Sequence, residues 1–104
     1  MANEDEVQRL AHKYVLGKHG SISPQGQTQT YNRIFELAGL QSRLVLNDRN
    51  WEVKPSEGMS RAEEKSEYER IEEISGALRE AFMSADEFET EVARVRGVLQ
   101  KHIH

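Results

Sequence analysis

The stretch SRAEEKSEYERIEEISG, residues 60–76, places six glutamates in one helical pattern. Carboxylates at that density suit three kinds of chemistry: ligating a metal or moving a proton, docking a cationic partner, or solvating an ordinary helix face. Metal ligation between helices calls for carboxylates that converge with a Glu-x-x-His pair on a facing helix. The chain holds no Glu-x-x-His, and His12, His19, His102 and His104 are scattered over a helix, a loop and the C-terminus. The two rings of His102-Ile103-His104 lie two positions apart and so do not share a helical face. A general acid needs a raised pKa in a concave, partly dry pocket beside a nucleophile or base, and no such companion is visible. The expectations are no catalytic residue, no cofactor and no metal, with a small helical enzyme or metal-binding protein kept as a second alternative.

At 100° per residue the apolar stripe of this helix centres between Ile71 and Leu78. Glu69, Glu73 and Glu80 then fall on the opposite side, with Glu72 beside them, and these four are the candidate protein-binding residues. Lys65 at i, i+4 to Glu69, and Arg70 at three residues from both Glu67 and Glu73, are expected to neutralise part of that face. Glu63 reads as a capping residue. Glu64 and Glu67 border the apolar stripe, and are expected either to reach solvent where the helix outruns the core or to accept an Arg or Lys from the hairpin or a partner.

The N-terminal half offers different chemistry. Lys13, Lys18, Arg33, Arg43 and Arg49 accompany SPQGQTQTYNR, a run rich in the amide side chains that read adenine edges. A helix, a turn and a second helix opening near Thr28 would make a helix-turn-helix, with Lys18, Gln29, Asn32 and Arg33 as the candidate nucleic-acid contacts. Against it, the connection so drawn exceeds the three or four residues of that motif, and a net charge of +1 over residues 1–56 is no basic footprint.

The elements that must position these side chains follow from periodicity and punctuation. Asn3 with Glu6 imitates a capping box, Val7, Leu10, Ala11, Tyr14 and Val15 share one helical face, and Gly17 is the expected stop. A polar loop, KHGSISPQGQTQ, separates this helix from a second one capped by Thr28 or Thr30 and striped by Tyr31, Ile34, Phe35 and Ala38, with Gly39-Leu40 as a Schellman-type end. RLVLNDRNWEVK, residues 43–54, alternates around an Asn-Asp-Arg-Asn turn and predicts a β-hairpin with Leu44, Leu46, Trp51 and Val53 on one face; continuation of the second helix through GLQSRLVL is the alternative. Pro55 to Gly58 break the chain. Ser60 with Glu63, and Ser84 with Glu87, read as capping boxes opening a third and a fourth helix, with only Met83 and Ser84 between the two. Phe88, Val92, Val95, Leu99 and either His102 or Ile103 recur with heptad-like spacing in the fourth helix. Gly76 and Gly97 inside the pair mark close backbone approach or looseness.

The predicted fold is α+β and predominantly α: about four helices with a C-terminal antiparallel helical hairpin and a short central β-hairpin. A chain of 104 residues is one domain by length, with 1–56 and 59–104 as its two parts, and buries roughly two-thirds of its unfolded surface. The absence of cysteine removes disulfides, thiolate metal sites and cysteine nucleophiles. No stretch reaches the ~18 to 20 apolar residues of a membrane span, and the acidic MANEDEVQRL does not resemble a signal peptide, so a soluble, cytoplasmic protein is expected. Residues 57–91 carry four Lys/Arg against twelve Asp/Glu, a net −8 in a chain of net −4. Acidity so concentrated repels nucleic acid and membrane from that surface and favours a basic protein partner.

The functional expectation is a small non-enzymatic protein-binding module, an adaptor or inhibitor docking on a larger, basic partner, with a homodimer through the C-terminal helices as a further option. Phage-type inhibitors of host nucleases illustrate the class. Close mimicry of a nucleic-acid strand is not expected: phosphates follow at about 3.4 Å, whereas Glu69 and Glu73 are separated by about 6 Å of helical rise. The alternative is a helix-turn-helix-like DNA-binding regulator that uses the N-terminal half and dimerises through the C-terminal helices.

Overall fold

The computed structural model describes residues 3–48, 50–84 and 86–103. Six elements follow in order: α1 Glu4–Lys18, α2 Pro24–Leu37, β1 Arg43–Asn47, β2 Asn50–Lys54, α3 Arg61–Met83 and α4 Phe88–His102. The expected class holds, four helices and one antiparallel hairpin. Arg49 and His104 lie outside the described residues, so the expectations placed on them are not addressed.

Helix boundaries show where local chemistry decides. Asn3 caps α1 by accepting the N–H of Glu6 at 2.8 Å. The reciprocal half of that box is absent, because the Glu6 carboxylate is engaged by Arg33. α1 runs past Gly17, which is buried inside it against the Gln27 side chain. The helix ends at Gly20 instead, whose φ of +77° lets the N–H groups of Gly20 and Ser21 close on Gly17 and Leu16 as a Schellman turn.

α2 opens earlier than its threonines indicate. Ser23 is the N-cap, its hydroxyl accepting the N–H of Gly26 at 3.2 Å, and Pro24 occupies the first turn, where a missing N–H costs nothing. The connection from α1 is therefore five residues, His19 to Ser23, and not the long loop expected. At the other end Gly39 (φ +81°) makes the expected Schellman turn, with Leu40 N–H on Phe35 O at 2.9 Å, and excludes continuation of the helix. β1 pairs with β2 in the register Leu44↔Val53 and Leu46↔Trp51, and Leu44 and Val53 pack on the core as the alternation requires. Asp48, at φ +54°, begins the tight turn.

The Ser60–Glu63 capping box is complete in both directions. The second expected box is not made: Ser84 terminates α3, its hydroxyl donating to Ala81 O, and Glu87 is the N-cap of α4 without a side-chain cap bond. Four residues, 84–87, thus join the pair. α4 packs against both α1 and α3. Its stripe of Val92, Val95, Leu99 and Ile103 meets Ile74 and Leu78 of α3 and the α1 face in one buried cluster, completed by Ile34 and Phe35 of α2. Each large side chain there stabilises the fold by about 1.5–3 kcal/mol through burial. The heptad-like residues are thus core: Leu99 is 0% exposed, and a dimer through that stripe would require the monomer to open. No helix among the described residues is long and apolar enough to cross a membrane.

Candidate docking surfaces

α3 is 23 residues long and presents Glu69, Glu72, Glu73 and Glu80 to solvent, on the side that rotation predicts. The pairs expected to neutralise them are absent. Among the described residues the ion pairs are Arg33–Glu6 and Arg33–Glu36, with His19 in hydrogen-bond contact with Glu91, and none of these lies within α3. Arg70 turns instead to the end of α2 and donates to Ala38 O at 2.9 Å, satisfying a carbonyl that the helix terminus leaves open.

Glu67 is half-buried and, among the described residues, makes no ion pair. It accepts the backbone N–H of Gln41 at 2.9 Å and of Ser42 at 2.8 Å, together with the Ser42 hydroxyl, so that α3 holds the segment leading into β1. Partial burial pushes its pKa up, but these three donors outweigh that and hold it below the ordinary carboxylate range. Glu63 is lowered likewise, by the Ser60 backbone and hydroxyl of the capping box.

The four candidate nucleic-acid contacts separate. Lys18 is exposed at the end of α1, its Nζ 5.4 Å from the centroid of the Tyr14 ring. Gln29 is exposed on the second turn of α2. Asn32 is engaged within the fold, donating to Leu44 O at 2.8 Å and accepting Leu44 N–H at 2.7 Å, a pair of bonds that docks β1 on α2. Arg33 makes a two-pronged contact with Glu6 (2.8 and 3.0 Å) and a third bond to Glu36 at 2.6 Å. The Arg33 hydrogen bond holds Glu6 below the ordinary carboxylate range. With α2 beginning at Pro24, neither Asn32 nor Arg33 stands at the start of a helix.

Two clusters escape the sequence patterns. His19 Nε2 lies 2.9 Å from Glu91 Oε1, and the Glu91 residue is 5% exposed, across 72 positions of chain. Phe82 and Phe88 pack around the His19 ring, with Phe88 also edge-on to His12 at 5.0 Å. Trp51 and Tyr68 remain 44% and 42% exposed although Trp51 donates to the Thr28 hydroxyl and Tyr68 to Val53 O. Periodicity assigns a face to each of these residues but names no partner for it. Among the described residues no group of three His, Asp or Glu converges to hold a metal. Comparison of the chain with known protein families, with curated proteins and with solved structures finds no match.

Proposed function

We propose that the protein is a non-enzymatic binding module, an adaptor or inhibitor, whose α3 outer face docks on a basic surface of a larger macromolecule. The observation that carries this reading is the state of Glu69, Glu72, Glu73 and Glu80: all are exposed, and among the described residues none has a cation within ion-pair distance. Of the two cations expected to neutralise them, Arg70 is committed to Ala38, and among the described residues Lys65 makes no ion pair. A rigid helix carrying uncompensated carboxylates steers a cationic partner and fixes its orientation more than it supplies raw affinity.

The test is capture of partners from the native host by the tagged protein, followed by charge reversal of Glu69, Glu72 and Glu73 to lysine together. Loss of a basic partner with the fold intact by circular dichroism supports the reading. Retention of every partner by the triple variant removes α3 as the docking face. The helix-turn-helix alternative has less support, since Asn32 and Arg33 are already engaged inside the fold.

A further inference from the structure

Three depressions join along the face formed by α1, α2 and the hairpin. The first, about 270 Å³, lies between α1 and α2 and is lined by Arg9 and Lys13 on one side and Gln29 and Arg33 on the other. Gln29 and Arg33 also line the second, about 480 Å³, which reaches Gln41 and Arg43. Gln41 and Arg43 in turn border the third, about 450 Å³, which ends at Lys54. Five cations and two carboxylates line the trench, a net +3 in a chain of net −4. Both carboxylates, Glu6 and Glu36, are bound to Arg33, so the middle of the trench carries a net −1 and each end a net +2.

Like charges are juxtaposed at both basic ends. Arg9 and Lys13 stand at i, i+4 on α1, a spacing at which like charges repel. Arg43 and Lys54 are directly opposed across the β1–β2 ladder, the placement at which like charges destabilise a sheet. All four are exposed, and among the described residues none has a carboxylate within ion-pair distance. An anion lying between the members of each pair turns both repulsions into attractions.

We propose that this trench binds the phosphate backbone of a single-stranded nucleic acid, gripped by Arg9 and Lys13 at one end and by Arg43 and Lys54 at the other. Gln29 and Gln41, both exposed between the two grips, offer donors and acceptors to base edges. Concavity selects a single strand: duplex DNA is read by elements that project into its major groove, whereas these cations line narrow depressions near the size of small-ligand pockets, set end to end. Among the described residues no aromatic side chain lines the three depressions, so little stacking and little sequence preference are expected. The site is independent of the α3 reading, because no residue of α3 or α4 borders it, and repulsion from the acidic helix is screened beyond about 8 Å at physiological salt.

The test is fluorescence anisotropy with a labelled oligothymidylate of about ten nucleotides over a range of salt. Engagement of four cations predicts a slope of log K against log salt of about −3, falling by about half for Arg9→Gln with Lys13→Gln, and by the same amount for Arg43→Gln with Lys54→Gln. Lys65→Gln, an equal kind of charge change on α3, leaves the slope unaltered. Lys54→Glu gives the decisive contrast, because it raises the melting temperature of the free protein while weakening the oligonucleotide complex. The proposal is overturned by absence of binding at low salt, by equal affinity for a duplex of the same length, or by slopes that neither double variant changes. It is equally overturned if the oligonucleotide does not bind and these variants instead abolish a salt-sensitive self-association, which would make the acidic face of a second copy the occupant.

Discussion

The Glu67 carboxylate on α3 accepts both backbone N–H groups of the Gln41–Ser42 segment, at 2.9 and 2.8 Å, and so ties the longest helix to the chain entering the hairpin. Three donors converge on one side chain there, and its removal strands the N–H and hydroxyl of Ser42, a residue 5% exposed. Glu67→Ala is expected to destabilise the protein by about 1–3 kcal/mol in urea unfolding. The pH dependence follows from the lowered pKa. The contribution is complete above the ordinary value of 4.5 and is lost as pH falls through the lower folded-state value. Glu67→Gln should therefore flatten the acid side of the stability profile, and an unchanged profile would remove the clamp.

Tyr14 presents the opposite situation. Its ring is buried against α2, edge-on to Tyr31 at a centroid distance of 5.7 Å, but among the described residues its hydroxyl, beside the Tyr31 phenol, makes no hydrogen bond of normal geometry. Burial, followed by the neighbouring Tyr31 phenol, pushes its ionisation well above the ordinary range. A hydroxyl that loses water without gaining a partner opposes folding, so Tyr14→Phe is expected to stabilise the protein by about 1 kcal/mol in thermal or urea unfolding. A loss of stability would mean that the hydroxyl is satisfied in solution.

His19 and Glu91 join the end of α1 to the first turns of α4, and the two differ in exposure, with side chains 48% and 6% accessible. Truncating the exposed partner leaves the buried one stranded, so His19→Ala is expected to cost about 1–3 kcal/mol. Replacing both, as His19→Ala with Glu91→Leu, removes the stranded acceptor and should recover most of that loss. Equal destabilisation by the single and double variants would assign the effect to the packing of the imidazole between Phe82 and Phe88.

These three relationships mark the boundary of what the sequence discloses. Bonds closed within a few residues were legible: the Ser60–Glu63 box, the Gly39 end of α2 and the alternation that makes the hairpin each depend on neighbours in sequence. The same local reading failed where two signals competed. At α2 the Ser23-Pro24 start was available, yet the glycine and amide residues around it read as loop. At Ser84 a capping pattern before Glu87 concealed the end of α3. The side of α3 that carries Glu69, Glu72, Glu73 and Glu80 was legible from rotation alone. Partners 12 to 72 positions apart were not, because periodicity assigns a residue to a face without naming what the fold brings there. Glu67 binds backbone, Arg70 binds a carbonyl, and Asn32 docks a strand, all contacts for which side-chain charge offers no guide.

Gly97 and Gly39 separate two uses of glycine. Within α4 a Cβ built on Gly97 meets nothing within 4 Å, so neither close approach nor packing demands glycine there. Its remaining effect is the helix-propensity cost, and Gly97→Ala is expected to stabilise the protein by about 1 kcal/mol. At Gly39 there is equally no steric neighbour, but φ is +81° and the Schellman bonds of α2 depend on that conformation. Gly39→Ala is therefore expected to destabilise by about 1 kcal/mol, with the loss located at the junction of α2 and β1. Urea unfolding of the two variants measures opposite signs for the same chemical change, and amide exchange at Leu40 reports the junction directly. If both substitutions shift stability in the same direction, backbone conformation is not what distinguishes the two positions.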